Sequence, residues 1–64
     1  MYKNLKEVLT KRDISTKQFG LILGISEKSA YNKLQGITDF TLSEAKKTNA
    51  FLNEYSMEYL FKAE

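Results

Sequence analysis

The sequence has no cysteine, no histidine, no proline and no tryptophan, and only three glycines. Without cysteine there is no disulfide, and without cysteine or histidine there is no ordinary zinc site. The same absences exclude thiol nucleophiles, histidine acid–base pairs and catalytic zinc. Carboxylates, lysines and hydroxyls remain, and these need a cleft to shift their pKa values. The expectation is a protein that is not an enzyme and uses no cofactor or metal. Apolar runs do not exceed three residues, as at Leu21-Ile22-Leu23, far short of a membrane span. Met1-Tyr2-Lys3 leads into charged residues without an apolar leader, and position 2 is not the glycine that myristoylation needs. A cytoplasmic protein is expected.

What is present fits one small folded unit. A chain of 64 residues allows a single domain spanning 1–64. Its 42% hydrophobic and 28% charged residues are the composition of a globular domain rather than a disordered tail. A chain this short buries only about 60% of the surface its unfolded form exposes. Stability must therefore come from helix packing, with help from a second copy of the chain.

Net charge is only +2, but it is unevenly placed. Residues 1–38 carry seven cations (Lys3, Lys6, Lys11, Arg12, Lys17, Lys28, Lys33) against Glu7, Asp13 and Glu27, a net of +4. Residues 39–64 carry Lys46, Lys47 and Lys62 against five carboxylates, a net of −2. A basic front suggests a polyanion partner, although an ordinary solvated surface produces the same split.

Apolar spacing is helical throughout, which predicts an all-α bundle of about five short helices. Leu5, Val8 and Leu9 form a narrow stripe on a helix over about residues 2–12, with the Arg12 stem along its end. Ser15 and Gln18 are spaced as a capping box for a second helix, Thr16 to Leu23, burying Phe19, Ile22 and Leu23. Gly24 stops that helix and Ser26 caps a third, Glu27 to Gln35, with Ala30 and Leu34 inward and Gly36 at its end. Thr41 and Glu44 form a second capping box for a helix reaching about Asn53, with Leu42, Ala45 and Leu52 on its buried stripe. Ser56 caps a short last helix carrying Met57, Leu60 and Phe61.

The tight joint Gly24-Ile25-Ser26 is the informative feature. Two short helices joined by such a turn describe a helix-turn-helix unit. Its steep crossing needs a very small residue on the second helix, and Gly20 stands there although glycine costs about 1 kcal/mol in a helix relative to alanine. Ile25 plugs the corner and Ala30 lets the third helix lie close.

The stretch Thr16-Lys17-Gln18-Phe19-Gly20-Leu21-Ile22-Leu23-Gly24-Ile25-Ser26-Glu27-Lys28-Ser29-Ala30-Tyr31-Asn32-Lys33-Leu34-Gln35-Gly36 resembles the phage Cro/cI-type, or XRE-like, repressors. With Thr38-Asp39-Phe40-Thr41-Leu42-Ser43-Glu44-Ala45 it looks like the short phage or prophage regulators among them. Many members carry a large apolar residue where Lys33 stands, so Leu34 is expected to fill that corner instead. The resemblance implies a lambda-repressor-like fold and a transcriptional repressor that binds an operator in double-stranded DNA. It also implies base contacts from the first two residues of the third helix and from the one four further on, which are Glu27, Lys28 and Asn32.

Groove dimensions supply the mechanism. A major groove about 12 Å wide admits one helix, whose first residues reach base edges. With Ala30 and Leu34 facing inward, Glu27, Lys28, Tyr31 and Asn32 face outward or sideways. Asn32 can pair with adenine, Lys28 can donate to guanine O6/N7, and Glu27 can accept from cytosine N4. Glu27 also suits any helix start, where it faces the positive end of the dipole. Tyr31 fits a rim-packing aromatic, a thymine-methyl contact or a phosphate contact equally well. Phosphate candidates are Lys17, Gln18, Ser26, Ser29, Lys33, Gln35 and Thr38, although capping already accounts for Ser26.

Phe51, Tyr55, Met57, Tyr59, Leu60 and Phe61 crowd eleven residues, more than one small core can bury. In related repressors the last helix makes a two-fold contact, which implies a homodimer through Tyr55, Met57 and Tyr59, with Leu60, Phe61 and Phe51 closing the core. An alternative role is a protein-interaction module that modulates a larger phage repressor by binding it, consistent with the low net charge, the single arginine and the aromatic tail. An antitoxin-like partner is a third possibility on the same fold.

Overall fold

The computed structural model describes residues 1–63. Among them are five α-helices: α1 (Lys3–Lys11), α2 (Thr16–Leu23), α3 (Glu27–Leu34), α4 (Leu42–Phe51) and α5 (Met57–Leu60). Four of the five start on a hydroxyl cap, because the first backbone N–H groups of a helix have no partner within it. Ser15 Oγ accepts from the Gln18 amide while Gln18 Oε1 accepts from the Ser15 amide, and Thr41 and Glu44 repeat the arrangement. Ser26 Oγ and Ser56 Oγ accept from the Ser29 and Tyr59 amides. α1 has no side-chain cap; instead the Tyr2 amide reaches across the molecule to Leu34 O at 3.1 Å.

α2 packs mainly on α3, α4 lies against α2 and α5, and α5 returns to α1. The core is Leu5, Val8, Leu9, Phe19, Leu23, Ala30, Leu34, Leu52 and Leu60. Over it lies an aromatic layer that periodicity does not reveal. Tyr2, Phe19, Phe40 and Phe61 meet edge to face at centroid distances of 5.1–6.1 Å, joining both ends of the chain to α2 and to the α3–α4 loop. Edge contacts of this kind align the positive ring edge with a negative face.

The α2–α3 corner is set by backbone contact. A Cβ on Gly20 would lie 2.9 Å from Ile25 O and 3.2 Å from Ser26 O, so the helix can approach the turn this closely only without a side chain. The small residue expected against α3 is therefore needed against the turn that leads into it. Gly24 adopts φ 75°, a conformation that costs little only for glycine.

The second half departs from the expected burial. Leu42, assigned to the inner stripe of α4, is 68% exposed, because the Thr41 cap makes it the first helical residue, on the outer side. Thr48 is buried in its helix instead, and its hydroxyl donates to Glu44 O at 2.9 Å, which removes the usual penalty for a buried polar group. Ala45 and Ile22 are half-buried rather than fully inward. α4 stops at Phe51, short of Asn53, because Leu52 leaves helical geometry (φ −110°, ψ 54°) as its side chain enters the core. Phe51, expected to close the core with Leu60 and Phe61, is half exposed. Arg12 is exposed after α1, and its guanidinium pairs with Glu54.

Candidate nucleic-acid interface

Because the turn between α2 and α3 is so short, their first turns lie side by side. Thr16 from α2 and Ser26, Glu27, Lys28 and Tyr31 from α3 line one shallow, open hollow. Thr16 was not singled out by the sequence, since a residue following a capping serine carries no distinctive pattern. Lys17 is exposed beside it, as are Glu27 and Lys28; Tyr31 is half exposed. Ala30 and Leu34 are buried behind this face.

The remaining named residues are held to different degrees. Asn32 is half-buried and does not line the hollow; its carbonyl accepts from the Ile37 amide at 2.9 Å and so shapes the exit of α3. Gln18 is exposed, but its Oε1 is committed to the α2 cap. Ser26 and Ser29 bond each other through their hydroxyls at 3.0 Å. Thr38 is exposed in the α3–α4 loop. Gln35 is tied to both α1 and Tyr31: Lys6 Nζ donates to its Oε1 at 3.0 Å, and its Nε2 donates to the Tyr31 hydroxyl at 3.3 Å.

Lys33 is the largest revision. Its ammonium sits 2.8 Å from Glu44 Oε1 and 2.9 Å from Asp39 O, and its side chain is only 14% exposed. A cation already neutralised and bonded inside the protein is poorly suited to a phosphate. Its role is to fasten α3 to α4, while Leu34 beside it fills the core. Burial pushes the Glu44 carboxyl up. The Lys33 ammonium and the Thr41 amide and hydroxyl outweigh that and hold it below its ordinary value.

The chain matches no family model, no curated protein and no solved structure. The site must be read from its own chemistry. Among the described residues no three His, Cys, Asp or Glu side chains gather to hold a metal ion, and no helix is long and apolar enough to cross a membrane. The hollow is open and its lining surface is mostly apolar, with the polar ends of Thr16, Ser26, Glu27, Lys28 and Tyr31 supplying its donors and acceptors.

At the opposite end, Tyr55 and Tyr59 stack at 5.6 Å with their planes 17° apart. Met57, Tyr59 and Phe61 line a second shallow depression along α5. Tyr55 and Met57 are half-buried and Tyr59 is 42% exposed. A third apolar area escaped the sequence reading. Leu21, 73% exposed, and Phe51 lie with Ile14 and Ile22 around a hollow at the far end of α2. Leu21 lies off the face of Phe19, Ile22 and Leu23 expected to be buried, and the structure leaves it exposed.

Proposed function

We propose that this protein is a sequence-specific DNA-binding transcriptional regulator, a Cro/cI-like repressor of the cytoplasm that works as a homodimer. The observation that carries the reading is the pairing of the first turns of α2 and α3 across a turn that Gly20 keeps tight. In this reading α2, the turn and α3 form a helix-turn-helix, and α3 enters the major groove. Eight residues at 1.5 Å each make a helix about 12 Å long, short enough to present its first half to base edges. Lys28 donates to guanine and Glu27 accepts from cytosine N4; Asn32, half-buried beyond the first turn, is assigned no base. Lys17 and the amides at the start of α2 hold a phosphate, helped by the helix dipole. Lys33 is left out of the phosphate set. Tyr55, Met57 and Tyr59 supply the two-fold contact, which spaces the two α3 helices about 34 Å apart on one face of the duplex.

Selection of bound duplexes from a randomised pool at near-physiological salt tests this. An enriched pseudo-palindrome is expected, with Lys28→Ala relaxing base preference and Lys17→Ala weakening all duplexes alike. A pool that stays random overturns it. One observation favours a second reading, a module that modulates a larger repressor by binding it: the exposed Leu21 and Phe51, with Arg12, Asp13 and Gln18 around the same hollow, form a mixed surface that DNA binding does not use.

A further inference from the structure

We infer that Lys6, through Gln35, fixes Tyr31 as a one-way hydrogen-bond donor to a DNA backbone phosphate. The inference rests on the DNA-binding reading and assigns a role to a residue of α1 outside the helix-turn-helix. The argument is one of hydrogen-bond polarity. A lysine ammonium can only donate. The Gln35 atom 3.0 Å from Lys6 Nζ must therefore be its carbonyl oxygen, whatever way round an amide might otherwise lie. That turns the Gln35 NH2 group toward Tyr31, 3.3 Å from the phenolic oxygen. The oxygen accepts this bond, so the hydroxyl's own hydrogen is directed away from the protein, on the half-exposed face of α3 beside Lys28.

Two features select a phosphate oxygen over a base edge. The chain of bonds begins at a cation, so it is polarised in the sense that strengthens donation to an anion. The Tyr31 hydroxyl is also tied through Gln35 to Lys6 of α1, at the rim of the face that Tyr31 shares with Glu27 and Lys28, where a phosphate is nearer than a base edge. Tyr31 thus moves from the base-reading set to the positioning set, and Lys6 becomes a positioning residue that acts through Gln35.

Binding is measured on the selected operator and on an unrelated duplex, with single phosphates replaced in turn by neutral methylphosphonate. Tyr31→Phe is expected to weaken both duplexes by about fivefold, the scale of one hydrogen bond, leaving their ratio unchanged. It should also abolish sensitivity to one methylphosphonate position. Lys6→Met frees the Gln35 amide to flip and accept the Tyr31 hydrogen. Beyond the general charge loss seen in Lys11→Met, it should therefore add nothing in a Tyr31→Phe background. A Tyr31→Phe variant that binds like wild type, or that changes base preference at one position with an unaltered methylphosphonate pattern, overturns the inference while leaving the DNA-binding reading intact. A wild type that binds no duplex overturns both. In the free protein, Gln35 side-chain amide resonances that do not move in Lys6→Met overturn the relay itself.

Discussion

The α2–α3 corner and the α4–α5 end are held together in opposite ways. At the corner, backbone meets backbone: Gly20 lies under the carbonyls of Ile25 and Ser26, and the residues between the helices are small or apolar. Around α4 and the loop after it, side chains bridge the gaps over the buried Leu52 and Leu60: Lys33 of α3 to Glu44, Arg12 to Glu54, and Asn49 Nδ2 to Tyr55 O at 2.8 Å. Backbone contact tolerates almost no change of volume, whereas side-chain bridges can be rebuilt by rotamer shifts. In the DNA-binding reading proposed above, the face that has to match a groove of fixed width rests on the first kind of framework.

The largest effect that would test this contrast is at Gly20. Gly20→Val should destabilise the fold by about 3 kcal/mol, since the intruding carbons meet carbonyl oxygens that cannot move aside; urea unfolding measures it. A loss below about 1 kcal/mol would mean that the corner is as adaptable as the back. Next comes Lys33→Met, which leaves the Glu44 carboxylate its Thr41 bond but removes its counter-ion. It should cost about 2 kcal/mol by the same measurement, the scale of a hydrogen bond to a charged group.

The same pair sets a pH response. The Glu44 carboxyl is held below its ordinary value, so it binds a proton less readily folded than unfolded. Its contribution to stability is complete above the unfolded glutamate's value and is lost as pH falls through the lower folded one. Unfolding midpoints followed downward through that range should fall less steeply in Glu44→Gln than in wild type. An equal slope would show that the pair is not what responds. The smallest effects belong to the outward apolar residues. Leu42→Ala and Phe51→Ala should each change stability by about 0.5 kcal/mol or less, against about 3 kcal/mol for Leu52→Ala, a fully buried neighbour of Phe51.

Much of the corner was readable in advance because its determinants are local. Ser15 and Gln18 cap within three residues, and Gly24 marks the chain reversal with its own identity. The five helices of the described residues, and the start of each capped one, follow from signals of this kind. The long-range side-chain bonds were less legible because their partners lie far apart in sequence. Lys33 and Glu44 are 11 positions apart and Lys6 and Gln35 are 29 apart; each lysine, taken alone, reads as a solvated side chain. Leu42 faces outward and Thr48 inward although α4 starts where its capping box predicts, because which side of the helix is covered depends on its packing against α2 and α5. Thr16 joined the hollow, and Lys33 left the surface, for reasons that only packing supplies.

The edge-to-face layer of Tyr2, Phe19, Phe40 and Phe61 bears on the order of folding. It unites residues from both ends and the middle of the chain, so it cannot form until the intervening segments have closed, and that closure has an entropic cost. The α2–α3 hairpin needs only its own contiguous residues. An early nucleus at the hairpin and a late aromatic seal follow from that difference. Truncating Phe61 should then speed unfolding while leaving the refolding limb of a chevron plot nearly unchanged. The ring layer thus acts as the kinetic latch of the domain, setting how long the native state persists once formed.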